Sequence, residues 1–390
     1  MNLLLISIDS LRLDYVSQTN SQIQTPAFNA LTRDFCFYKG LFSASTATRP
    51  VHTSLFTGLY PFEHGVLGQS SKSMRTEIPT LFTYLHRAGV ETKAFSEVSD
   101  IFTGLNYASQ IKPFSPNAIH QALHHPTAHN RFLFLHYWGA HTPYGAADQS
   151  ALGETAQLLQ SGQHHIVHQR YSNAVERIFE HQLTPLLQRI DLQDWCVLIF
   201  SDHGESWTIE EPYHGCTLRN SVLRVPFYYH IPRTGNLAPT RPILSLIDLF
   251  PTMLNLLEVD NDYRGFATDM RWSEDTPYKL AQIHPDPMPM DLQPTQTGTW
   301  LPPPINSGKQ WALFNAEHKY SYDEEIGKGS LEQTFTEDKL VGEGLTDVHF
   351  QTEFARLRQA SAYADRPLDS TAPADNDLLD QRLRDLGYLE

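Results

Sequence analysis

The stretch WCVLIFSDHGE, residues 195–205, decides the fold class. The apolar residues from Trp195 to Phe200 run without interruption, and acidic and imidazole side chains follow almost at once. A short apolar run of this kind is typical of a strand that is buried on both faces of a parallel sheet. Open sheets of this type bind ligands at the carboxyl ends of their strands, so Asp202 and His203 are candidate ligand-binding residues.

Two other segments have the same character. LLLIS at 3–7 is an apolar run that places Asp9 just beyond its end, and RFLFLHYW at 131–138 is another that ends at GAHTPY. Segments 79–89 and 171–190 show helical spacing of apolar residues, so strands and helices alternate along the chain. The sequence therefore predicts an α/β fold with a mostly parallel sheet and helices on both faces.

The character of the sequence changes near residue 260. We expect a catalytic α/β domain over 1–260 and a C-terminal subdomain over 261–390. Within the second part, the Pro-rich stretch 284–307 predicts a loop. WALFNAEHKYSYD, at 311–323, predicts strands of a smaller antiparallel section, and residues 376–390 predict a terminal amphipathic helix.

Composition excludes several classes of protein. The chain has 390 residues, 41% of them hydrophobic, and a net charge of −15 without any Lys/Arg stripe, so we expect no nucleic-acid partner. No apolar run approaches the length of a membrane span, and we expect no membrane partner. Three scattered cysteines and an N-terminal run without a basic region or cleavage site predict a cytoplasmic protein. The sequence does not indicate an oligomeric state.

Three widely separated segments offer donors for a metal ion. They are Asp9 in SIDSLR, Thr48 in ATRP, and the adjacent Asp202 and His203. Two carboxylates, an imidazole and a hydroxyl suit a divalent cation, which would lower the pKa of the hydroxyl and make it a usable nucleophile. Taken singly, Asp9 or Thr48 could be a turn or helix-cap residue, and only the combination indicates a site.

Six segments in order resemble the successive landmarks of the sulfatases, which belong to the alkaline phosphatase superfamily. They are ISIDSLRLDYV, TRPVHTSLFTGLYPFEHGV, FLHYWGAHTPY, FSDHGE, HGCTLRNSVLRVP and IDLFPTMLNLL. The resemblance runs from residue 3 to about residue 260 and returns in the closing RLRDLGYLE. It implies a sulfatase-type α/β fold, hydrolysis of a small anionic ester and a bound divalent metal ion.

The resemblance also selects one hydroxyl as the nucleophile. The sulfatase nucleophile lies ten residues before the Gly of a Thr-Gly pair and two before a Pro. Counting back from Gly58 gives Thr48, with Pro50 two residues further on, whereas Ser45 matches only the spacing to Arg49. The metal ligands implied by the resemblance are Asp9, Thr48, Asp202 and His203.

Thr48 also bears on the kind of ester. The formylglycine of sulfatases is made from Cys or Ser, and Thr cannot become an aldehyde hydrate. By resemblance, a Thr at this place is what phosphodiesterase-type and phosphotransferase-type relatives use. A threonyl phosphate can be hydrolysed by in-line attack of water, so a phosphate or phosphonate ester is favoured over a sulfate ester.

Two departures from the family pattern concern the metal. Ser10 stands where sulfatases often have a second Asp, and His203 stands where an Asn often follows the Asp. The histidine favours Mn, Zn or Mg over Ca, although the sequence leaves the identity open among the four. Because no Asp-x-x-x-His segment offers a second site, we expect one divalent ion.

Three histidines complete the predicted site. His141 and His214 match positions where the family places groups that contact the ester oxygens or protonate the leaving group, and histidine has the pKa range for such work. Which of the two serves the leaving group stays open. His52 stands where the family has an Arg, and we assign it to substrate binding, although it could instead cap the helix that follows.

The sequence therefore predicts a metal-dependent hydrolase that cleaves phosphate, phosphonate or sulfate esters through Thr48. Three alternatives remain: a true sulfuric ester hydrolase, a transferase that passes the group to an alcohol, and a non-catalytic binding module with a sulfatase fold. Intact donors at Asp202 and His203 favour an enzyme, whereas Ser10 and His52 favour the binding module.

Overall fold

The computed structural model of the chain describes residues 1–71, 73–124, 130–144, 152–208, 211, 213–232, 239–273, 278–285, 308–336, 340–343, 348–364, 380, 381 and 383. None of the helices in these ranges is both long and apolar enough to cross a bilayer.

The main sheet has eight strands in the described part of the chain. They are β1 (Asn2–Ile8), β2 (Cys36–Phe42), β3 (Glu91–Ser96), β4 (Ile111–Pro113), β5 (Arg131–Tyr137), β6 (Trp195–Ser201), β7 (Arg224–His230) and β8 (Leu244–Ser245). Their order in the sheet is β4-β3-β5-β1-β6-β7-β2-β8. Neighbours from β4 to β6 are parallel, and β7 runs antiparallel to both β6 and β2. The predicted α/β fold with a mostly parallel sheet is confirmed.

The central strands are apolar because both of their faces are covered. Leu3 and Leu5 of β1 pack into the core on one side of the sheet, and Leu4 and Ile6 pack into the core on the other. Complete burial of such a side chain contributes about 1.5–3 kcal/mol. The uninterrupted apolar run in the sequence is therefore a consequence of two buried faces.

Nine α-helices lie between strands of the main sheet in the described part of the chain, and two follow its last strand. They are α1 (Pro26–Leu31), α2 (Thr48–Thr57), α3 (Pro61–His64), α4 (Leu81–Arg87), α5 (Pro116–His124), α6 (Leu152–Gln160), α7 (His164–Arg177), α8 (Thr184–Leu187), α9 (Asn220–Leu223), α10 (Leu249–Leu256) and α11 (Val348–Ala360). The helix predicted over 171–190 is the end of α7, a π-helical turn at Ile178–Leu183 and α8. The helix predicted over 79–89 is α4.

A smaller antiparallel sheet follows in the C-terminal part, as predicted. Its strands are β9 (Lys279–Ile283), β10 (Gln310–Phe314), β11 (His318–Asp323), β12 (Lys328–Gln333) and β13 (Leu340–Glu343). The two sheets share an apolar cluster in which Ala281 and Phe314 pack with Phe42 of β2 and with Ala47. The C-terminal part thus contributes to the packing around the loop that precedes α2.

Two sequence predictions lie largely outside the described residues. Of the Pro-rich stretch 284–307, only the first two residues are described. Of the terminal helix predicted over 376–390, only Asp380, Gln381 and Leu383 are described, all with helical backbone. The domain boundary near residue 260 stays a prediction.

Candidate functional site

The carboxylates of Asp9 and Asp202 lie side by side because their strands are parallel neighbours. Ile8, the last residue of β1, pairs with Ser201, the last residue of β6. Asp9 and Asp202 therefore leave the sheet at the same edge, and both are fully buried. Ser10 lies between them in a left-handed conformation, with φ of 58°. Its backbone N–H donates to Asp202 Oδ1 over 3.1 Å, and its hydroxyl donates to Asp9 Oδ1 over 2.7 Å.

Thr48 is the first residue of α2 and is fully buried. Its hydroxyl donates to Asp9 Oδ2 over 3.1 Å and lies 3.4 Å from His203 Nε2. The positive end of the helix dipole at this position favours an anionic group. At the other end, α2 stops at Gly58, whose φ is 71°, and a Cβ there would approach the Phe250 ring to 2.7 Å. Glycine therefore allows the close packing that holds this helix in place.

His203 presents one ring nitrogen to the two carboxylates. Its Nδ1–H donates to the carbonyl oxygen of Gly204 over 2.9 Å. A carbonyl only accepts hydrogen bonds, so Nδ1 carries the hydrogen and Nε2 is left with a lone pair. Nε2 lies 3.6 Å from Asp202 Oδ2 and 4.0 Å from Asp9 Oδ1. This imidazole is thus oriented as a metal ligand would be.

The pKa values of the two carboxyls move in opposite directions. Burial alone would raise the pKa of Asp9, but contact with His136 and the charges of the neighbouring imidazoles outweigh it and hold that pKa well below its ordinary value. Burial and the Asp9 charge raise the pKa of Asp202 well above its ordinary value. The two carboxylates have donor oxygens within 4.8 Å of each other. Ionisation of both at once is therefore unfavourable in free energy. A cation between them would remove that cost.

Asp202 Oδ2 provides a second indication of a cation. This buried oxygen accepts no hydrogen bond from any residue in the described ranges. Buried polar atoms without a partner are rare in proteins and call for an explanation such as an ion. Donor atoms of Asp9, Asp202 and His203 lie within 4.8 Å of one another. The residues therefore fit a divalent cation.

His136 was not predicted from the sequence as a site residue. It is fully buried near the end of β5, and its Nε2 lies 3.3 Å from Asp9 Oδ2. With His52 and Asp202 it forms a second group whose donor atoms lie within 4.8 Å of one another. Its signal in the sequence is an imidazole in an otherwise apolar segment, FLFLHYW, five residues before His141.

His141 and His214 lie together beside the carboxylates. Their ring centroids are 5.0 Å apart, and the His214 ring is 4.2 Å from that of His203. The His141 ring stacks on Trp138 at 3.8 Å, and its Nδ1–H donates to the carbonyl oxygen of Thr142 over 2.7 Å. Burial lowers the pKa of His141 to about 3. The structure thus places both predicted histidines beside Thr48 and its neighbours.

Glu205 is another residue to which the sequence assigned no role. Its Oε1 lies 3.0 Å from His214 Nδ1, and its Oε2 accepts a hydrogen bond from the Tyr144 hydroxyl over 3.1 Å. Burial raises the pKa of Glu205 and lowers that of His214, which disfavours a charge on either group. Glu205 therefore fixes the orientation of the His214 ring.

His52 lies beneath the site, on the inner face of α2. Its Nδ1–H donates to the carbonyl oxygen of Thr48 over 2.9 Å, and its Nε2 is 3.1 Å from the hydroxyl of Ser7. The ring is fully buried and contacts Phe102 and Phe134. Both ring nitrogens are thus bound within the protein, and substrate binding by His52 stays a prediction.

A family model described as Sulfatase matches residues 1–115 and 108–259. These segments contain every residue of the site and make up more than half of the chain. The chain belongs to the sulfatase family. Members of this family usually bind a divalent metal ion, and Asp9, Asp202 and His203 of this chain offer donors for one.

One curated relative and several solved structures resemble this chain. An ulvan-active sulfatase of Formosa agariphila is 31% identical over 78 residues, which is 20% of this chain and 16% of that protein. The match thus spans less than a fifth of the relative's length.

Two of the solved structures cover nearly all of the chain. A phosphonate monoester hydrolase of Agrobacterium radiobacter has a TM-score of 0.64 and 14% identity, over 92% of this chain and 96% of that one. A 2-O GAG sulfatase has a TM-score of 0.65 and 14% identity, over 92% and 90% of the two chains. At such identities the likeness shows a shared fold.

Proposed function

We propose that this protein is a metal-dependent hydrolase of phosphate or phosphonate esters with Thr48 as its nucleophile. The observation that carries the proposal is the position of the Thr48 hydroxyl. It begins α2, donates to Asp9 Oδ2 over 3.1 Å and lies 3.4 Å from His203 Nε2. A hydroxyl held among cation donors at a helix N-terminus is suited to attack an anionic ester.

Threonine favours phosphorus over sulfur. A threonyl phosphate can be released by in-line attack of water, whereas a sulfated threonine lacks the elimination route that an aldehyde hydrate provides. Proteins that share this fold include both a phosphonate monoester hydrolase and sulfatases. The fold is therefore compatible with either kind of ester, and the preference for a phosphorus ester rests on the chemistry of Thr48.

A single divalent cation is part of the proposal, with Asp9, Thr48, Asp202 and His203 as ligands. When bound, it would lower the pKa of the Thr48 hydroxyl and offset negative charge on the ester oxygens. The imidazole of His203 favours Mn or Zn over Ca. Two observations on Asp202 support this assignment: its Oδ2 accepts no hydrogen bond from the described residues, and the pKa of its carboxyl is raised. A cation would bind that oxygen and keep the carboxyl ionised.

The proposed reaction has two displacements at phosphorus. Thr48 Oγ1, which has lost its proton to solvent, forms a bond to phosphorus as the bond to the ester oxygen breaks, and the departing oxygen takes a proton from an imidazole. Water then attacks phosphorus, gives a proton to the same imidazole and breaks the bond to Thr48, whose oxygen leaves as the alkoxide that began the cycle.

We assign the proton donor to His214. Glu205 Oε1 lies 3.0 Å from its Nδ1, so a positive charge on this ring has a carboxyl partner. His141 Nδ1 instead donates to a neutral carbonyl oxygen. Burial lowers the pKa of His214 in the free protein, and an anionic ester beside the ring would raise that pKa again. The acid therefore forms when substrate binds.

The function is tested with nitrophenyl esters of sulfate, of phosphate as mono- and diester, and of a phosphonate. Each is assayed with Mn²⁺, with Zn²⁺ and with chelator. Turnover of a phosphorus ester that disappears with chelator and with Thr48→Ala would support the proposal. Turnover of the sulfate ester alone would overturn the choice of phosphorus. Transfer to an added alcohol at the expense of hydrolysis would instead indicate a transferase.

A cytoplasmic location belongs to the same proposal. Cys36, Cys196 and Cys216 form no disulfide bond with one another, which suits a reducing compartment. Cell fractionation with an antibody to the chain tests this location.

A further inference from the structure

His136 is a buried imidazole to which the proposed reaction assigns no role. It belongs to β5, next to β1, where it pairs with Ser7 two residues before Asp9. Its side chain is fully buried, and its Nε2 makes no hydrogen bond with the residues that the structure describes. That nitrogen nevertheless lies 3.3 Å from Asp9 Oδ2. A cation beside both atoms would provide a partner for this nitrogen and for the carboxylate oxygen.

The other ring nitrogen of His136 is held by Ser96. Nδ1 lies 2.9 Å from the Ser96 hydroxyl, whose oxygen accepts a hydrogen bond from the backbone N–H of Val98 over 3.0 Å. The remaining lone pair on this oxygen can accept the Nδ1–H of His136. Nε2 then carries a lone pair directed at the carboxylate edge. Metal-binding histidines are typically oriented in this way, with the second ring N–H donated to an oxygen.

Neighbouring donor atoms around the site lie at the spacing expected between ligands of one ion. Donors about 2.1 Å from a cation, at tetrahedral or octahedral angles, lie about 3.0–3.4 Å from one another. Asp9 Oδ2 lies 3.3 Å from His136 Nε2 and 3.1 Å from Thr48 Oγ1. Thr48 Oγ1 lies 3.4 Å from His203 Nε2. The four donor atoms form a continuous series at ligand spacing.

We propose that His136 Nε2 is an additional ligand of the cation, with Ser96 as its positioning residue. The inference rests on the cation of the proposed function and adds a second imidazole to its ligands. His52 is not included, because its Nδ1–H already donates to Thr48 and its Nε2 contacts Ser7. Two imidazoles favour Zn²⁺, Co²⁺ or Mn²⁺ over Ca²⁺ and Mg²⁺, which prefer oxygen ligands.

The test measures metal affinity without any substrate. Chelator-treated protein is titrated with Zn²⁺ in competition with a chromophoric chelator. We expect His136→Gln to weaken Zn²⁺ binding by about 100-fold or more and Ser96→Ala by about tenfold. His86→Gln, a change of an exposed histidine on α4, serves as the matched control and should bind Zn²⁺ like the wild type. The affinity for Ca²⁺ relative to Zn²⁺ should rise in His136→Gln.

A second measurement needs no variant and covers a failure of His136→Gln to fold. Pulsed electron paramagnetic resonance of the wild type loaded with Mn²⁺ counts the imidazole nitrogens on the ion. We expect two, from His136 and His203. A single nitrogen, wild-type Zn²⁺ affinity in folded His136→Gln, or a separate second ion that depends on His136 would each overturn the inference.

The two proposals fail in different ways. Loss of Zn²⁺ affinity in His136→Gln without turnover of any ester by the wild type would sustain the ligand and reject the hydrolase. Hydrolysis that needs Thr48, with unchanged Zn²⁺ affinity in His136→Gln, would sustain the hydrolase and reject the ligand.

Discussion

The Thr48 hydroxyl donates a hydrogen bond to Asp9 Oδ2 over 3.1 Å, across 39 positions of the chain. Asp9 follows the central strand β1, and Thr48 begins α2. The contact therefore joins the carboxyl end of the sheet to the positive end of a helix. An ester phosphate at this junction would meet a nucleophile, the donors of a cation and a helix dipole together.

Thr48 variants test the nucleophile directly. Thr48→Ala removes the attacking oxygen, and we expect kcat/KM to fall by roughly 10⁴-fold or more. Thr48→Ser keeps a hydroxyl at the same place and should retain measurable turnover. Steady-state kinetics on the best phosphorus ester, together with mass spectrometry of acid-quenched protein for a phosphorylated Thr48 peptide, provide the measurement.

The control for Thr48 lies on the same helix. Thr57→Ala also removes a buried hydroxyl from α2, one that donates to the carbonyl oxygen of Thr53 and accepts the backbone N–H of Leu59, away from the proposed site. It should keep wild-type kinetics. Equal losses in Thr48→Ala and Thr57→Ala would mean that helix packing, and not nucleophilic attack, explains the effect.

Removal of the cation should destabilise the protein through Asp202. A cation at a hundredfold excess over its dissociation constant stabilises the folded state by about 2.7 kcal/mol, so chelator should lower the melting temperature. Asp202→Asn should abolish that shift. Metal-free Asp202→Asn should be at least as stable as the metal-free wild type at pH 8, because burial and Asp9 raise the pKa of Asp202 and its ionisation costs stability there.

Thermal unfolding with and without chelator measures both effects of Asp202→Asn. Asp260→Asn, a change of an exposed acid, is the control and should keep the shift caused by the cation. If chelator lowers the melting temperature of Asp202→Asn as much as that of the wild type, Asp202 is not a ligand of the cation.

The main features of the fold were predictable because buried parallel strands have a simple sequence pattern. The apolar runs at 3–7, 131–138 and 195–200 all correspond to strands, and their polar successors Asp9 and Asp202 lie at one edge of the sheet. Thr48 has no such pattern of its own. Only its spacing from Gly58 and Pro50, read against the sulfatases, separates it from other hydroxyls nearby.

His136 and Glu205 were not predicted because their partners are distant in the sequence. His136 was counted as part of a strand, and its relation to Asp9 depends on the register of β5 against β1. Glu205 contacts His214 across nine positions of the chain, and no sequence pattern marks that contact. Sequence patterns report burial and periodicity, whereas these pairs depend on tertiary geometry.

Leaving-group dependence distinguishes the roles of His214 and His141. A variant without the general acid loses more activity on esters with poor leaving groups, because those oxygens need a proton to depart. We expect His214→Gln to lose about 10²–10⁴-fold more on an alkyl ester than on a nitrophenyl ester. His141→Gln should lose similar factors on both. Values of kcat/KM for a series of leaving groups give the measurement, and a steeper dependence in His141→Gln would reverse the assignment.

Glu205 is tested by the same series. We expect Glu205→Gln to reproduce part of the His214→Gln pattern, with a kcat lowered by about 10–100-fold and little change in KM, because the carboxyl orients the ring without contacting substrate. Tyr144→Phe removes the hydrogen bond to Glu205 Oε2 and should give a smaller effect of the same kind. A rise in KM alone for Glu205→Gln would assign the carboxyl to substrate binding.

Glu63, remote from the proposed chemistry, should make stability depend on pH. Its Oε2 accepts the backbone N–H of Tyr60 over 2.9 Å, its Oε1 accepts the Ser361 hydroxyl over 2.7 Å, and burial raises its pKa to about 7. An unfolded chain releases this proton near pH 4.5, so the free energy of unfolding should fall by up to about 3 kcal/mol between pH 4.5 and 7 and then level off. Glu63→Gln resembles the protonated carboxyl and should gain stability relative to the wild type as pH rises from 5 to 8. Urea unfolding at pH 5, 6.5 and 8 provides the measurement. Glu77→Gln, a change of an exposed carboxyl, is the control, and its stability should depend on pH as that of the wild type does.

A contrary result is a difference in unfolding free energy between Glu63→Gln and the wild type that stays constant over the three pH values. It would show that Glu63 is ionised in the folded protein throughout this range.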